Sequence, residues 1–159
     1  MIVVTGGAGF IGSGLVWALN ERGYHEIVVV DRLRDGKKWL NLSKLEIHDY
    51  FDKADFLEQV QADELEYKPD VIFHLGACSS TTEEDADYLM RNNFQYTREL
   101  AKYALAQECR FIYASSAATY GGGELGYLDD HNMLSELQPL NKYAYSKHLF
   151  DLHALHNGW

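Results

Sequence analysis

The sequence predicts an α/β fold: a doubly wound parallel sheet with helices on both faces. Three observations carry this. Short, apolar, largely β-branched runs recur along the chain (Ile2-Val-Val4, Ile27-Val-Val-Val30, Val71-Ile-Phe73, Phe111-Ile112), and such runs suit strands buried on both faces. Helical stretches of about ten residues or more separate most of them, as right-handed βαβ crossovers require. The residues with chemical character follow the strands directly: Gly6 to Gly12, Asp31, Gly76 to Ser80, and Ser115-Ser116. Ligands of such sheets bind outside the carboxyl ends of the strands.

Taken in order, the first strand is expected at residues 2–5. Gly6, Gly9 and Gly12 follow at spacing three, and in the other register Gly7, Gly9 and Gly12 spell G-x-G-x-x-G. The first glycine permits a tight turn, the next lets backbone approach a pyrophosphate, and the last lets a helix pack closely on the strand. A helix over 10–22 follows, with Ile11, Leu15, Val16 and Leu19 on its apolar face and Gly23 as its C-cap. Its start aims free N–H groups and a positive dipole end at the phosphates. A second strand over 26–31 ends in Asp31, where a ribose-binding acid belongs in a dinucleotide site. Residues 32–38 form a basic, polar loop. Leu40, Leu42, Leu45 and Ile47 alternate with polar residues and predict a third strand. A short helix is expected over 53–60 and a buried strand over 71–75. Thr81 with Glu84 fits a capping box, starting a helix that runs to about Gln107. Glu83, Glu84, Asp85 and Asp87 then lie in its first turn, where negative charge is favoured, so they are read as a helix-end feature and not as a metal site. A strand over 111–115, a loop rich in Gly and Asp, and a last helix over 141–156 complete the chain. Pro69 and Pro139 fall in connecting segments.

The 159 residues predict one domain, able to bury ~70% of the surface its unfolded form exposes. A formal net charge of −10 argues against nucleic acid or an anionic membrane as partner, since both reward Lys and Arg. The start shows no basic segment before an apolar core, and no stretch is long and apolar enough to span a bilayer, so a cytoplasmic protein is expected. Cys78 and Cys109 lack metal-ligand spacing and are read as buried thiols in a reducing compartment. His153 and His156 share a helical face with no carboxylate or cysteine to complete a ligand set; with His148 they are read as helix surface, and no metal is expected.

The chemistry lies in the last third. Tyr143 and Lys147 stand four residues apart, hence on one helical face. A free tyrosine has a pKa of about 10 and is a poor base, but a nearby cation favours the phenolate. Lowering that pKa by ~3 takes ~4 kcal/mol, within reach of an ammonium and an oxidised nicotinamide. Ser116, at the end of a strand on the same edge, can hydrogen-bond a substrate oxygen. A Ser, Tyr and Lys set beside a dinucleotide suits removal of a proton from an alcohol while hydride leaves its carbon. Tyr145 is the rival phenol, but its partner four residues on is Leu149.

Thr5-Gly-Gly-Ala-Gly-Phe-Ile-Gly12, Tyr113-Ala-Ser-Ser-Ala-Ala-Thr-Tyr-Gly121 and Tyr143-x-x-x-Lys147 resemble the extended short-chain dehydrogenase/reductase family of nucleotide-sugar enzymes, with its Rossmann-like fold. More narrowly, Val30-Asp-Arg-Leu-Arg-Asp-Gly36, Phe73-His-Leu-Gly-Ala-Cys-Ser-Ser-Thr-Thr82 and Asn92-Asn93 resemble the ADP-L-glycero-D-manno-heptose 6-epimerases of that family. The resemblance implies inversion at C6 of an ADP-heptose, with NADP (alternatively NAD) taking and returning a hydride, in the pathway to lipopolysaccharide core. It implies cofactor contacts from Phe10, Ile11, Asp31, Arg32, Lys38, Lys53, Leu75, Gly76, Ala77, Cys78, Ser79, Asn92 and Lys147 beside the glycines, and an acid/base role for Tyr143. It also implies a homo-oligomer at full length. Family members continue into a further strand and a smaller substrate domain that carries a second acid/base lysine. The chain is therefore expected to be an amino-terminal fragment, residues 1–159 being an incomplete dinucleotide-binding domain. Among rivals, a 4,6-dehydratase has Thr-Asp-Glu where this chain has Ser116-Ala117-Ala118, and without that acid pair loss of water is not expected. A nucleotide-sugar 4-epimerase remains a candidate. So does a non-catalytic dinucleotide-binding protein, although the intact Ser116, Tyr143 and Lys147 speak against it.

Overall fold

The computed structural model describes residues 1–159, which divide into two compact units. The first comprises Met1–Gly76 and Glu99–Tyr113, and the second Ala77–Arg98 and Ala114–Trp159.

The first unit holds the sheet. Its strands are β1 (Ile2–Thr5), β2 (Ile27–Asp31), β3 (Asp49–Asp52), β4 (Val71–His74) and β5 (Arg110–Tyr113), in the order β3-β2-β1-β4-β5. All pairings are parallel, with Ile2 opposite Ile27 and Val71, Val28 opposite Asp49, and Val71 opposite Arg110. β2 is buried at all five positions, as its uninterrupted apolar run requires. α1 (Phe10–Asn20) joins β1 to β2, and α2 (Lys53–Ala62) joins β3 to β4. Right-handed crossovers that run outward to β3 and then return past β1 to β4 place these helices on opposite faces. The direction of the sheet therefore switches between β1 and β4, beside the glycine turn, where Rossmann-like sheets bind ligands. Val4, Val16, Ile27 and Val29 form a buried cluster against α1.

The third strand is corrected. Lys38–Asn41 wind into a 3₁₀ turn, and the strand forms later, at Asp49–Asp52. Leu42, Leu45 and Ile47 pack against the Val4–Val16–Ile27–Val29 cluster as irregular chain, so their alternation records packing and not pleat. Asp49 and Asp52 bracket the real strand and conceal it from a hydrophobic pattern. The first helix also stops earlier than expected, at Asn20, and Gly23 takes its positive φ of 81° in the turn beyond it.

The second unit is helical. α3 (Ala86–Leu89) leads into a π-helical segment, Met90–Gln95, and then α4 (Tyr96–Ala106), whose later residues belong to the first unit. The helix start is corrected from Thr81 to Ala86. Asp85 caps it by accepting from the Tyr88 N–H at 2.8 Å, the stronger N-cap by residue type and position. Glu84 pairs instead with Lys142. α5 (Lys142–Asn157) begins as expected, with the Asn141 side chain accepting from the Ala144 N–H at 2.8 Å. The histidines are corrected as well: His148 is buried, His153 sits edge-on to Phe94 and Trp159, and His156 alone is exposed.

Candidate functional site

In the first unit the turn after β1 is built for close backbone approach. Gly6 has φ +70°, and a Cβ there would fall 2.7 Å from the Gly76 nitrogen. A Cβ on Gly12 would lie 2.2 Å from the Gly6 carbonyl oxygen. Both contacts are with backbone, so neither position admits a side chain without displacing the turn. Gly6 N–H donates to Val30 O at 2.7 Å, and Gly9 N–H donates to Gly6 O at 2.9 Å. Gly9 precedes α1 in an extended conformation with no side chain capping the helix, and Phe10 is 92% exposed and Ile11 exposed beside it. A cradle that a Cβ would fill, at an uncapped helix start flanked by bare apolar side chains, fits a dinucleotide's pyrophosphate.

Asp31, at the end of β2, is buried and fully engaged. One carboxylate oxygen accepts from the Ala8 N–H at 2.9 Å; the other accepts from the Arg32 N–H at 2.7 Å and from Lys38 Nζ. The exposed Lys38 thus offsets the charge of Asp31, and Arg32 is half-buried next to it. Lys53 opens α2, just after β3. Leu75 N–H donates to Thr5 O at 3.1 Å, and Gly76 N–H donates to Thr5 Oγ1, also at 3.1 Å. Thr5 Oγ1 lies 2.6 Å from Nδ1 of the buried His74, so β1 and β4 are tied at their carboxyl ends.

In the second unit the organising residue is Asn93, 1% exposed, inside the π-helical segment. Its amide donates to Cys78 O at 3.0 Å and to Ser146 Oγ at 2.9 Å; its oxygen accepts from Cys78 N–H at 2.8 Å and from Asn92 Nδ2 at 2.9 Å. Ser146 in turn donates to Tyr143 O at 2.6 Å. The segment Ala77–Cys78–Ser79 is therefore fastened, through one amide, to the first turn of α5. A second tie joins Lys142 to Glu84, whose carboxyl is held below the usual range by that ammonium. Tyr143 is half-buried and Lys147, one turn on, is 3% exposed. Burial lowers the Lys147 pKa to about 8 while Asp151 pushes it up. Ser116 is half-buried; its hydroxyl accepts from the Ala118 N–H at 3.2 Å and caps a 3₁₀ turn, Ala117–Tyr120.

Residues 2–156 match the NAD dependent epimerase/dehydratase family. The chain belongs to this family. A curated ADP-L-glycero-D-manno-heptose-6-epimerase of Nitratidesulfovibrio vulgaris is 51% identical over 158 residues, 99% of this chain and 49% of the relative. Among solved structures, Helicobacter pylori ADP-L-glycero-D-manno-heptose-6-epimerase superposes with a TM-score of 0.82 at 30% identity, covering 98% of this chain and 50% of that one. Thermus thermophilus UDP-glucose 4-epimerase in complex with NAD gives 0.79 at 29% identity, covering 99% and 50%. The chain spans about half the length of the curated relative it matches. The Rossmann-like parallel sheet with flanking helices is the architecture shared with these epimerases. Sequence reading did not name Asp151; Thr5, His74 and Asn93 entered only within motifs that carry a resemblance, and Ser115 only as a neighbour of Ser116. A sequence signal existed for Asn93: an amide pair in the middle of an expected helix, where asparagine is a poor helix former.

Proposed function

We propose that the chain is the dinucleotide-binding, acid/base-bearing portion of an ADP-L-glycero-D-manno-heptose 6-epimerase that uses NADP, serving nucleotide-sugar metabolism on the way to lipopolysaccharide core. The observation that carries the reaction class is Lys147, a buried lysine one helical turn from Tyr143. The 51% identity to a 6-epimerase supports the sugar; a 4-epimerase shares the fold at lower identity. Residues 1–159 then belong to an incomplete dinucleotide-binding domain, and the whole enzyme is a cytoplasmic homo-oligomer.

The roles follow from chemistry. When bound, the nicotinamide supplies a place for a hydride to leave the sugar carbon and a source from which it returns. Gly6, Gly9 and Gly12, with Phe10 and Ile11 beside them, would hold the pyrophosphate against backbone. Asp31, Arg32, Lys38 and Lys53 serve the adenosine end. Lys38 offsets the carboxylate of Asp31 and lessens its repulsion of a 2′-phosphate, and the Arg32 guanidinium suits such a dianion; both support NADP over NAD. Leu75 to Ser79 and Asn92 would contribute the other cofactor contacts, as the resemblance implies. Tyr143 takes the proton from the sugar hydroxyl as the ketone forms and gives it back on return, Ser116 holds that oxygen, and the Lys147 charge favours the phenolate. Tyr143→Phe in the whole enzyme should leave NADP binding intact and lower turnover about 10²–10⁴-fold, followed by NMR of the C6 epimers. Near-normal turnover removes Tyr143 from the mechanism.

A further inference from the structure

Within the second unit, Asp151 stands four residues after Lys147 on α5, on the same face, and is itself only 6% exposed. Its Oδ2 accepts from the Ser115 hydroxyl at 2.6 Å, a short, charge-assisted bond to the segment just after β5. A buried carboxylate is costly unless it is hydrogen-bonded and has a cation near; the Ser115 hydroxyl supplies the bond, and Lys147 stands one helical turn before it. Lys147 has the complementary problem: an ammonium shut away from water holds its proton only if an anion lies close.

We infer that Asp151, held by the Ser115 hydroxyl, is a positioning residue that keeps the Lys147 ammonium charged and oriented for the acid/base work of Tyr143. This rests on the acid/base reading of Tyr143 and Lys147 given above and extends it to two residues that reading leaves unused. The opposing influences on Lys147 agree with the geometry: burial discharges it and the Asp151 carboxylate restores it. Asp151 acts in the same sense on His148, the neighbouring buried group, which burial also drives toward the neutral form. A neutral amine could not favour a phenolate, so losing Asp151 disables the pair within the working pH range. A carboxylate that merely tied α5 to the Ser115 segment would leave the lysine's titration unchanged.

The test is the titration of Lys147, read by NMR in the 159-residue chain selectively labelled at lysine and assigned with Lys147→Arg. Asp151→Asn should lower the Lys147 midpoint by about one pH unit or more, since a nearby opposite charge is worth that much. Asp151→Glu should restore most of it, and Ser115→Ala should give a smaller decrease in the same direction. A midpoint in folded Asp151→Asn that matches the parent overturns the inference. If Asp151→Asn does not fold, an unmoved midpoint in Ser115→Ala overturns it instead. In the active enzyme the alkaline limb of kcat/KM should move to lower pH by the same amount in Asp151→Asn. A lowered midpoint in a protein that forms no epimer keeps this inference and removes the proposed function; an active epimerase with an unmoved midpoint does the reverse.

Discussion

Replacing Lys147 with methionine keeps the aliphatic stem and removes the charge, and the consequence can be worked from burial alone. The folded chain holds this lysine at a pKa of about 8, against an ordinary value of 10.5. At about 1.4 kcal/mol per pKa unit, keeping it charged costs the fold about 3 kcal/mol. The group is almost wholly buried, so solvent screening does not reduce that figure appreciably. Between pH 8 and 10.5 the unfolded lysine still holds its proton and the folded one has released it. The unfolded state then binds more protons, so stability rises with pH across this window. Cys109, Tyr50, Tyr67 and Tyr103 act oppositely, because burial raises each of them and the fold loses stability as pH climbs past their ordinary values. They are common to parent and variant and cancel in the difference. The stability of Lys147→Met minus that of the parent should therefore shrink by about 3 kcal/mol between pH 7 and pH 10.5. The influence of Asp151 is already contained in the Lys147 pKa, because the parent's lysine gives up the same charge across the window. Urea unfolding at half-unit pH steps supplies the curve. Two stability profiles running parallel from pH 7 to 10.5 would refute the reasoning.

Gly12→Ala should destabilise by about 1–3 kcal/mol and abolish dinucleotide binding, because its new methyl meets the Gly6 carbonyl at 2.2 Å. Gly14→Ala is the control: nothing lies within 4 Å of its Cβ, and helix propensity should add up to about 1 kcal/mol without harming binding. Asn93→Ala strips partners from both backbone groups of Cys78 and should cost about 2 kcal/mol or more by chemical denaturation, with weakened NADP binding. Arg32→Ala should reduce affinity for NADP more than for NAD by calorimetry; equal losses would sink the NADP assignment.

The parts of the fold legible in the sequence were those in which one interaction dominates. β2 is apolar because both faces are covered, and the Gly6–Gly12 spacing is dictated by backbone contacts with no alternative solution. Tyr143 and Lys147 were legible because helical spacing alone puts them on one face. The third strand was not, because Leu42, Leu45 and Ile47 obey the packing needs of an irregular segment that imitates a strand's alternation. The helix start was misread because two capping patterns overlap, and Asp85 prevails over Thr81 while Glu84 is drawn to Lys142. The roles of Ser115, Asp151 and Asn93 lie outside motif reading, since they come from partners 15 to 53 residues away in sequence. His148 looked like helix surface because a lone histidine carries no periodic signal, yet α5 turns it inward.

The stitched glycine turn has a thermodynamic consequence. Gly6 is bonded to Val30, Gly9 to Gly6, and Ala8 to the Asp31 carboxylate, so the cradle is fixed by the protein's own bonds. Ordering a backbone residue costs about 1–2 kcal/mol, and for the four residues Gly6 to Gly9 that sum, about 4–8 kcal/mol, is met during folding. A ligand arriving at this turn encounters a helix start that the turn already holds in place, and its contact energy appears as affinity undiminished by loop ordering. Hydrogen exchange at Gly6, Ala8 and Gly9 should accordingly be slow before any ligand is added and change little afterwards. The turn behaves as a rigid socket, and any slow step on binding belongs to other parts of the chain.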